Sequence, residues 1–349
     1  MERRKTKKIM VGDVSIGGGS PITIQSMTNT DTKNIDDTVS QILRFESLGC
    51  DLTRSAINDM EDAKAIREIK EKTNIPFIAD IQFHYKLAIA AVENGADCLR
   101  INPGNIGSKE KVKELVNCCN HYGVPMRVGV NSGSIHQNML DKYGGVNVDS
   151  ICYSALEEIE YLESLNFYNM KISLKSSDVN MSIGAYKRFS ELSDYPLHLG
   201  ITEAGPPFKG TIKSAVGIGS LLSQGIGDTL RVSLTSNPEE EIKVGKEILK
   251  ALDLRQEGID IISCPTCART KIDLIRLVEQ ADEILDKMDK NIKVAIMGCP
   301  VNGPGEAKEA DIGIAAGKGT GILFKKGVVL RKVPEEELLS ALIEEIEQL

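Results

Sequence analysis

Short apolar, β-branched runs alternate with stretches of helical periodicity through the first two-thirds of the chain. The runs predict strands over residues 22–26, 51–55, 77–81, 98–101, 125–130, 170–174, 197–201 and 229–234. Between them, apolar residues recurring at three- and four-residue spacing predict helices such as 35–48, 61–72, 109–121, 156–165 and 239–252. Eight strand–helix units in about 250 residues predict a (β/α)8 TIM barrel. An open doubly wound sheet is the alternative, but no G-x-G-x-x-G follows a strand, and Gly17-Gly18-Gly19 opens no helix. After a polar stretch at 253–258 the pattern changes. It predicts strands at 259–262 and 292–297 around a helix at 271–288, then strands at 311–315 and 321–330 and a closing helix at 335–347. The expected domains are a barrel, residues 1–254, and a smaller α/β unit, residues 255–349.

The residues at the predicted strand ends are charged with unusual regularity. Arg54 ends the second strand, Asp80 the third, and Arg100 and Asn102 the fourth. Arg127 lies within the fifth and Asn131 just past it, while Lys175, Glu203, and Arg231 with Ser233 mark the last three. In a barrel these positions converge on the C-terminal mouth, where active sites sit. Arg54, Arg100, Arg127, Lys175 and Arg231 against Asp80 and Glu203 predict a positive mouth in an acidic protein. Guanidinium forks match phosphate oxygens, so the expected ligand is a small, multiply charged phosphate ester. The Gly-bearing loops at 102–105 and 131–134 add backbone N–H donors.

Three cysteines mark the second unit. Cys264-Pro-Thr-Cys267 and Gly298-Cys299 each follow a predicted strand, and the second motif runs on through a Gly/Pro-rich turn to Glu306. A C-x-x-C alone is equally a redox dithiol or half a zinc site. A dithiol leaves Cys299 unexplained, and no histidine follows His198 to complete a zinc set. Three thiolates without a fourth are expected if one iron of an iron–sulfur cluster keeps a weak or exchangeable ligand. The rival is a redox-inert barrel enzyme on a phosphorylated small molecule with a structural zinc. An electron carrier would need no convergent cationic mouth. Cys50, Cys98, Cys118, Cys119 and Cys152 fall within helix or strand patterns and read as small apolar core residues.

Composition narrows the class further. A net charge of −8 with 4% aromatics and no Trp argues against a nucleic-acid footprint. The basic start at 1–10 is followed by a polar, Gly-rich stretch where a signal peptide needs an apolar core, and no apolar run reaches membrane-spanning length. A cytoplasmic location with reduced cysteines is expected.

Taken together, these residues resemble the bacterial 4-hydroxy-3-methylbut-2-enyl diphosphate synthase family of the methylerythritol phosphate isoprenoid pathway. The likeness covers essentially the whole chain. It runs through residues 18–27, 99–107, 127–133, 172–178, 198–205 and 225–233 and both cysteine motifs. The resemblance implies a 4Fe-4S cluster held by Cys264, Cys267, Cys299 and Glu306. It implies a substrate pocket of Arg54, Asp80, Arg100, Asn102, Arg127, Asn131, Lys175, Glu203 and Ser233, with Asn302 beside the cluster. It also implies a homodimer whose active site joins both subunits, with reduced flavodoxin or ferredoxin as electron donor. The reaction it implies is the two-electron reductive ring opening and dehydration of 2-C-methyl-D-erythritol 2,4-cyclodiphosphate to (E)-4-hydroxy-3-methylbut-2-enyl diphosphate. Glu203 is expected to move a proton or orient a hydroxyl, and Glu306, a hard carboxylate among thiolates, to yield its iron to a substrate oxygen. One segment departs from the family. Where many members read Asp-Ile-His-Phe-Asp, this chain has Asp80-Ile-Gln-Phe-His84, and Gln82 cannot supply a proton. His84 is the candidate replacement if the segment stays extended.

Chain geometry bears on the dimer. The last barrel helix runs back to the bottom, and a six-residue linker reaches at most about 20 Å. A barrel with its loops stands on the order of 30 Å tall. The cluster unit is therefore expected to cover a partner's mouth rather than its own.

Overall fold

A computed structural model describes residues 2–288, 290–299 and 307–349 of the chain. It forms two compact units, Met1–Arg255 and Gln256–Leu349. Among the described residues no helix is long and apolar enough to cross a membrane.

The first unit opens with an antiparallel hairpin, β1 (Lys8–Val11) and β2 (Val14–Gly17). Eight parallel strands follow: β3 (Thr23–Met27), β4 (Leu52–Ala56), β5 (Phe77–Asp80), β6 (Cys98–Ile101), β7 (Met126–Asn131), β8 (Met170–Lys175), β9 (His198–Leu199) and β10 (Thr229–Leu230). They lie in the order β8-β7-β6-β5-β4-β3-β10-β9. A parallel bridge between Ile172 and Leu197, with the Ile172 N–H donating to the Pro196 carbonyl at 2.8 Å, brings the two ends of that row together. The expected barrel is thus present, with its last two strands shorter than the sequence pattern implied.

Helices α1 (Ile35–Ser47), α2 (Met60–Glu71), α3 (Tyr85–Glu93), α4 (Pro103–Ile106), α5 (Lys109–Tyr122), α6 (Gln137–Tyr143), α7 (Val148–Ser164), α8 (Val179–Leu192), α9 (Pro207–Leu222) and α10 (Pro238–Lys250) fill the connections. Their starts carry local signals. Asn147 and Ser150 form a reciprocal capping box at α7, and Pro238 with three glutamates opens α10. The loop expected at 102–105 contains the single turn of α4. Apolar helix faces pack on the outward faces of the strands, with Ile42, Phe45, Ile66, Leu115, Leu162 and Phe189 fully enclosed. Cys50, Cys98, Cys119 and Cys152 are buried as expected, whereas Cys118 is only half-buried.

The hairpin closes the floor. Ile9, Val11 and Ile16 pack on Leu52, Ile78 and Cys98, an arrangement that the polar reading of residues 11–20 missed. Gly17 sits at φ +75°, and a Cβ there would overlap the Lys7 carbonyl oxygen. Gly17→Ala is expected to destabilise the protein by about 1–3 kcal/mol. Chemical denaturation measures it, and an unmoved midpoint would mean the plug adds nothing. The unit also ends at the floor: Arg255 donates to the Asp51 carboxylate at 2.6 Å, and Asp51 immediately precedes β4.

The second unit is a five-stranded sheet in the order β11-β12-β13-β14-β15, made of β11 (Asp260–Ser263), β12 (Lys293–Met297), β13 (Ile312–Ala316), β14 (Thr320–Lys325) and β15 (Val328–Pro334). The first three strands are parallel and the last two antiparallel. The single strand expected at 321–330 is two. Lys326 at φ +48° and Gly327 at φ +77° turn the chain back on itself, as a two-residue hairpin with left-handed residues requires. Helices α11 (Leu274–Leu285) and α12 (Leu338–Glu347) bury Leu274, Ala281, Leu285, Leu338 and Leu342 in the core of this unit.

Candidate active site

Because side chains alternate along a strand, residues in Cα register across neighbouring strands share a face. Asp80, Arg100, Arg127 and Lys171 form such a row across β5, β6, β7 and β8. Arg54, opposite Met27 in the β3–β4 register, joins them from the next strand. Arg100 donates to Asp80 Oδ1 at 3.1 Å, and the Arg54 Nε lies 3.5 Å from Asp80 Oδ2. Arg54 also donates to Met27 Sδ through Nε at 3.2 Å and Nη2 at 2.8 Å. Arg231 donates through Nε and Nη2 to Glu241 Oε2, both at 3.3 Å, while Glu241 Oε1 accepts the Leu234 N–H at 2.9 Å.

Positive charge outweighs its partners here. Arg127 is fully enclosed, and its Nε, Nη1 and Nη2 have no hydrogen-bond partner among the described residues. The same holds for Arg54 Nη1, Arg100 Nε, Lys171 Nζ and Ser173 Oγ. Burial by itself would push the Asp80 carboxyl up, but Arg54 and then Arg100 outweigh it and hold Asp80 below its ordinary value. Burial lowers Arg54 well below the guanidinium range in spite of Asp80, and brings Arg127 to about 10. Lys175 is pushed well down by burial and then by Arg127. Unpaired buried cations are costly, so an anion entering this space meets donors already in place.

The other expected residues lie beyond the strand ends. Asn131 and Lys175 are register partners at the ends of β7 and β8, Asn102 follows β6, and Ser233 follows β10; all are half-buried. Glu203 is exposed beyond β9 at φ +54°, a left-handed conformation unfavourable for a residue with a Cβ. Gln82 and His84 are both exposed after β5, and His84 is the N-cap residue of α3 in extended geometry, without a side-chain cap bond. Sequence reasoning missed Lys171, Ser173 and Glu241. The first two share the alternation that ends in Lys175, so a period of two from Lys175 backward would have found them.

In the second unit β11 and β12 are parallel neighbours with Ser263 opposite Ile296. Cys264 and Cys299, one and two residues beyond these strands, therefore arrive at the same sheet end. The C-x-x-C turn folds onto it: the Thr270 N–H donates to the Cys267 carbonyl at 3.0 Å, the Cys267 N–H to Thr270 Oγ1 at 3.3 Å, and the Lys271 N–H to the Gly298 carbonyl at 3.4 Å. Cys264 Sγ accepts the Gly298 N–H at 3.2 Å, as a thiolate ligand does. A Cβ on Gly298 would press on Leu274 and Thr270 at 2.9–3.0 Å. The exposed Cys267 thiol is held below its ordinary value, first by the backbone N–H of Arg269. Three thiols on one sheet end, one with an N–H donor to sulfur, fit an iron–sulfur cluster, although no group of three or more His, Cys, Asp or Glu residues forms a ready metal cage among the described residues. Glu306 and Asn302 lie outside the described residues.

Comparison with known proteins matches both units. Residues 6–246 match the GcpE TIM-barrel domain and residues 260–348 the GcpE protein C-terminal domain. The chain is 57% identical over 349 residues to the 4-hydroxy-3-methylbut-2-en-1-yl diphosphate synthase (flavodoxin) of Clostridium tetani, covering 100% of both chains. It is 56% identical to the protein of the same name from Fusobacterium nucleatum, over 97% of this chain and 96% of that one. Among solved structures, Yersinia pestis dihydropteroate synthase matches 70% of this chain and 98% of its own, at a TM-score of 0.52 and 11% identity. The type I 3-dehydroquinate dehydratase of Clostridium difficile matches 72% and 98%, at 0.52 and 14%. Those two likenesses concern the barrel fold alone.

Proposed function

The chain belongs to the GcpE family, and from that membership we propose that it is a 4-hydroxy-3-methylbut-2-enyl diphosphate synthase, an oxidoreductase of isoprenoid precursor biosynthesis. It opens 2-C-methyl-D-erythritol 2,4-cyclodiphosphate reductively, with two electrons and loss of water. The observation that best supports this reading is the Arg127 guanidinium, without a hydrogen-bond partner among the described residues, beside the Asp80–Arg100 pair in a barrel crowded with cations.

In this reading Arg54, Arg100, Arg127 and Lys175 clamp the cyclic diphosphate, offsetting its charge and fixing its orientation. Asp80 is a pocket residue beside these cations. It holds the Arg54 and Arg100 forks, which leaves Arg54 Nη1 and Arg100 Nε for the ligand. Asn102, Asn131 and Ser233 supply uncharged polar groups around the ring, and Asn302 is assigned beside the cluster. Glu203 orients a substrate hydroxyl or carries its proton. Cys264, Cys267 and Cys299 would hold a 4Fe-4S cluster, with Glu306 as the fourth ligand. When bound, that cluster supplies low-potential electrons one at a time, which acid–base groups cannot do.

Reduced flavodoxin, which the relatives' names include, is the proposed donor, with ferredoxin as the second candidate. The protein is proposed to act in the cytoplasm as a homodimer in which one protomer's cluster unit meets its partner's barrel. A barrel unit that ends at its floor supports that arrangement. Mixing a Cys264→Ala subunit with an Arg127→Met subunit is expected to restore turnover at the wild-type KM at one of two sites, and activity showing only the raised KM of Arg127→Met would rule out the shared site. The test of function itself is anaerobic purification with iron, zinc and sulfide analysis, then turnover of the cyclic diphosphate with a chemical reductant. Zinc without acid-labile sulfide, or a ring that binds but never opens, would overturn the proposal.

A further inference from the structure

The row that carries Arg100 and Arg127 ends on a residue that the proposed chemistry does not use. Lys171 stands opposite Arg127 in the β7–β8 register, fully buried, and its Nζ has no hydrogen-bond partner among the described residues. It shares the inward face of β8 with Ser173, whose Oγ is likewise unpartnered, and with Lys175.

The surrounding groups make its charge hard to accommodate. Arg127 on β7, Arg100 on β6 and Arg54 on β4 are cations, and Lys175 on its own strand is itself pushed well down by burial and then by Arg127. His198 on β9 is buried, and burial pushes it well below its ordinary range, so it is neutral. The Cys98 thiol on β6 is pushed up by burial and is neutral as well. Tyr186 on α8 is committed, donating to the His198 carbonyl and accepting the Leu174 N–H. From the floor the hairpin presents Ile9, Val11 and Ile16. Asp80 on β5 is the carboxylate of the row, and Arg54 and Arg100 already hold it. A charge on Lys171 therefore adds to an already positive field, and an anion at the mouth reverses that balance.

We propose that Lys171 takes up a proton as the cyclic diphosphate binds, becoming an ammonium ion beneath the occupied site and completing its charge balance from behind Arg127. The inference rests on the substrate reading above and deepens it. Lys171 is a positioning residue, because it acts through the field at Arg127 and does not touch the reacting atoms. The change is a protonation only: amine plus proton gives ammonium, with no other bond made or broken. Burial brings the free Lys171 to about 8, so the uptake falls in the window just above that pH. The ligand adds nothing of its own there, since its phosphodiester-type groups are already ionised.

The experiment is calorimetric titration of the cluster-loaded, full-length protein with the cyclic diphosphate. It is run anaerobically at pH 9 in CHES and in Tris, whose different ionisation enthalpies reveal the protons exchanged. Wild type is expected to take up close to one proton more than Lys171→Met, about one because the two forms lie on either side of that pH. Between pH 8 and 9 the wild-type Kd is expected to weaken, by about fivefold, and that of Lys171→Arg, which keeps its charge, to stay flatter. Equal uptake in wild type and Lys171→Met would overturn the inference, as would a pH slope in Lys171→Arg as steep as wild type. If one variant fails to fold, the other decides. Binding that is absent from wild type at every pH would instead remove the substrate reading, and this inference with it.

Discussion

Cys264→Ala is expected to strip the protein of iron and acid-labile sulfide, and with them all reductive turnover, while the barrel's own unfolding transition stays in place. The cysteine directly follows β11 and packs partly buried against both small apolar clusters of the second unit. Its Sγ takes the Gly298 N–H, so its position is fixed by the backbone that also carries Cys299. Alanine removes one of three thiolates, and the remaining two leave a cluster iron without a soft ligand. Because the barrel has a separate core, its melting should be unaffected. Cys152→Ala is the control: that thiol is buried in the barrel and donates to the Ala185 carbonyl at 3.1 Å, and its loss leaves iron content unchanged. Glu306→Ala separates the proposed fourth ligand from the other three. It is expected to retain iron and sulfide on the cysteines yet lose most turnover. Iron and sulfide assays with single-turnover kinetics check all three variants, and full iron in Cys264→Ala would remove that cysteine from the ligand set.

What the sequence made legible follows from the period of a parallel strand. Arg54, Asp80, Arg100 and Arg127 stood out because each is a charge inside or at the end of an apolar run, where a strand has few reasons to carry one. The same rule hid Lys171 and Ser173. In residues 170–174 they alternate with Met170, Ile172 and Leu174, and the run reads as an ordinary half-buried strand unless its inward face is traced from Lys175. Glu241 was invisible for another reason. It is the last of three glutamates in the first turn of α10, where acidic residues are expected for the helix dipole, and only the tertiary structure distinguishes the buried one. The floor hairpin was lost because its turn, Gly12-Asp13, lies in a stretch that reads simply as polar and Gly-rich. The C-terminal strand pair was merged because Lys326 adopts a left-handed conformation that its residue type does not advertise. The departure at Gln82 and His84 remains a matter of chemistry rather than fold, since both side chains are exposed past β5.

Arg127→Met is expected to have effects of opposite sign on binding and stability, and that pairing distinguishes a binding residue from a structural one. Arg127 is enclosed, opposite Arg100 on one side and Lys171 on the other, with none of its guanidinium nitrogens partnered among the described residues. Burial, then the charge of Arg100, brings it down from the ordinary guanidinium range to about 10, so it stays charged at neutral pH. A shift of that size corresponds to a penalty of roughly 3 kcal/mol on the folded state. The sign follows from linkage. The folded form holds this proton less tightly than the unfolded chain, so the penalty is present below about pH 10 and fades as the pH rises through that value. Methionine fills much of the same volume without the charge, so the variant is expected to melt higher than wild type at neutral pH. If Arg127 holds the diphosphate as proposed, the same substitution is expected to raise KM by about tenfold or more. Thermal melts at pH 7 and steady-state kinetics with a chemical reductant check both halves. A variant that melts lower, with KM unchanged, would make Arg127 a scaffold residue and leave the anion site without its most deeply buried donor.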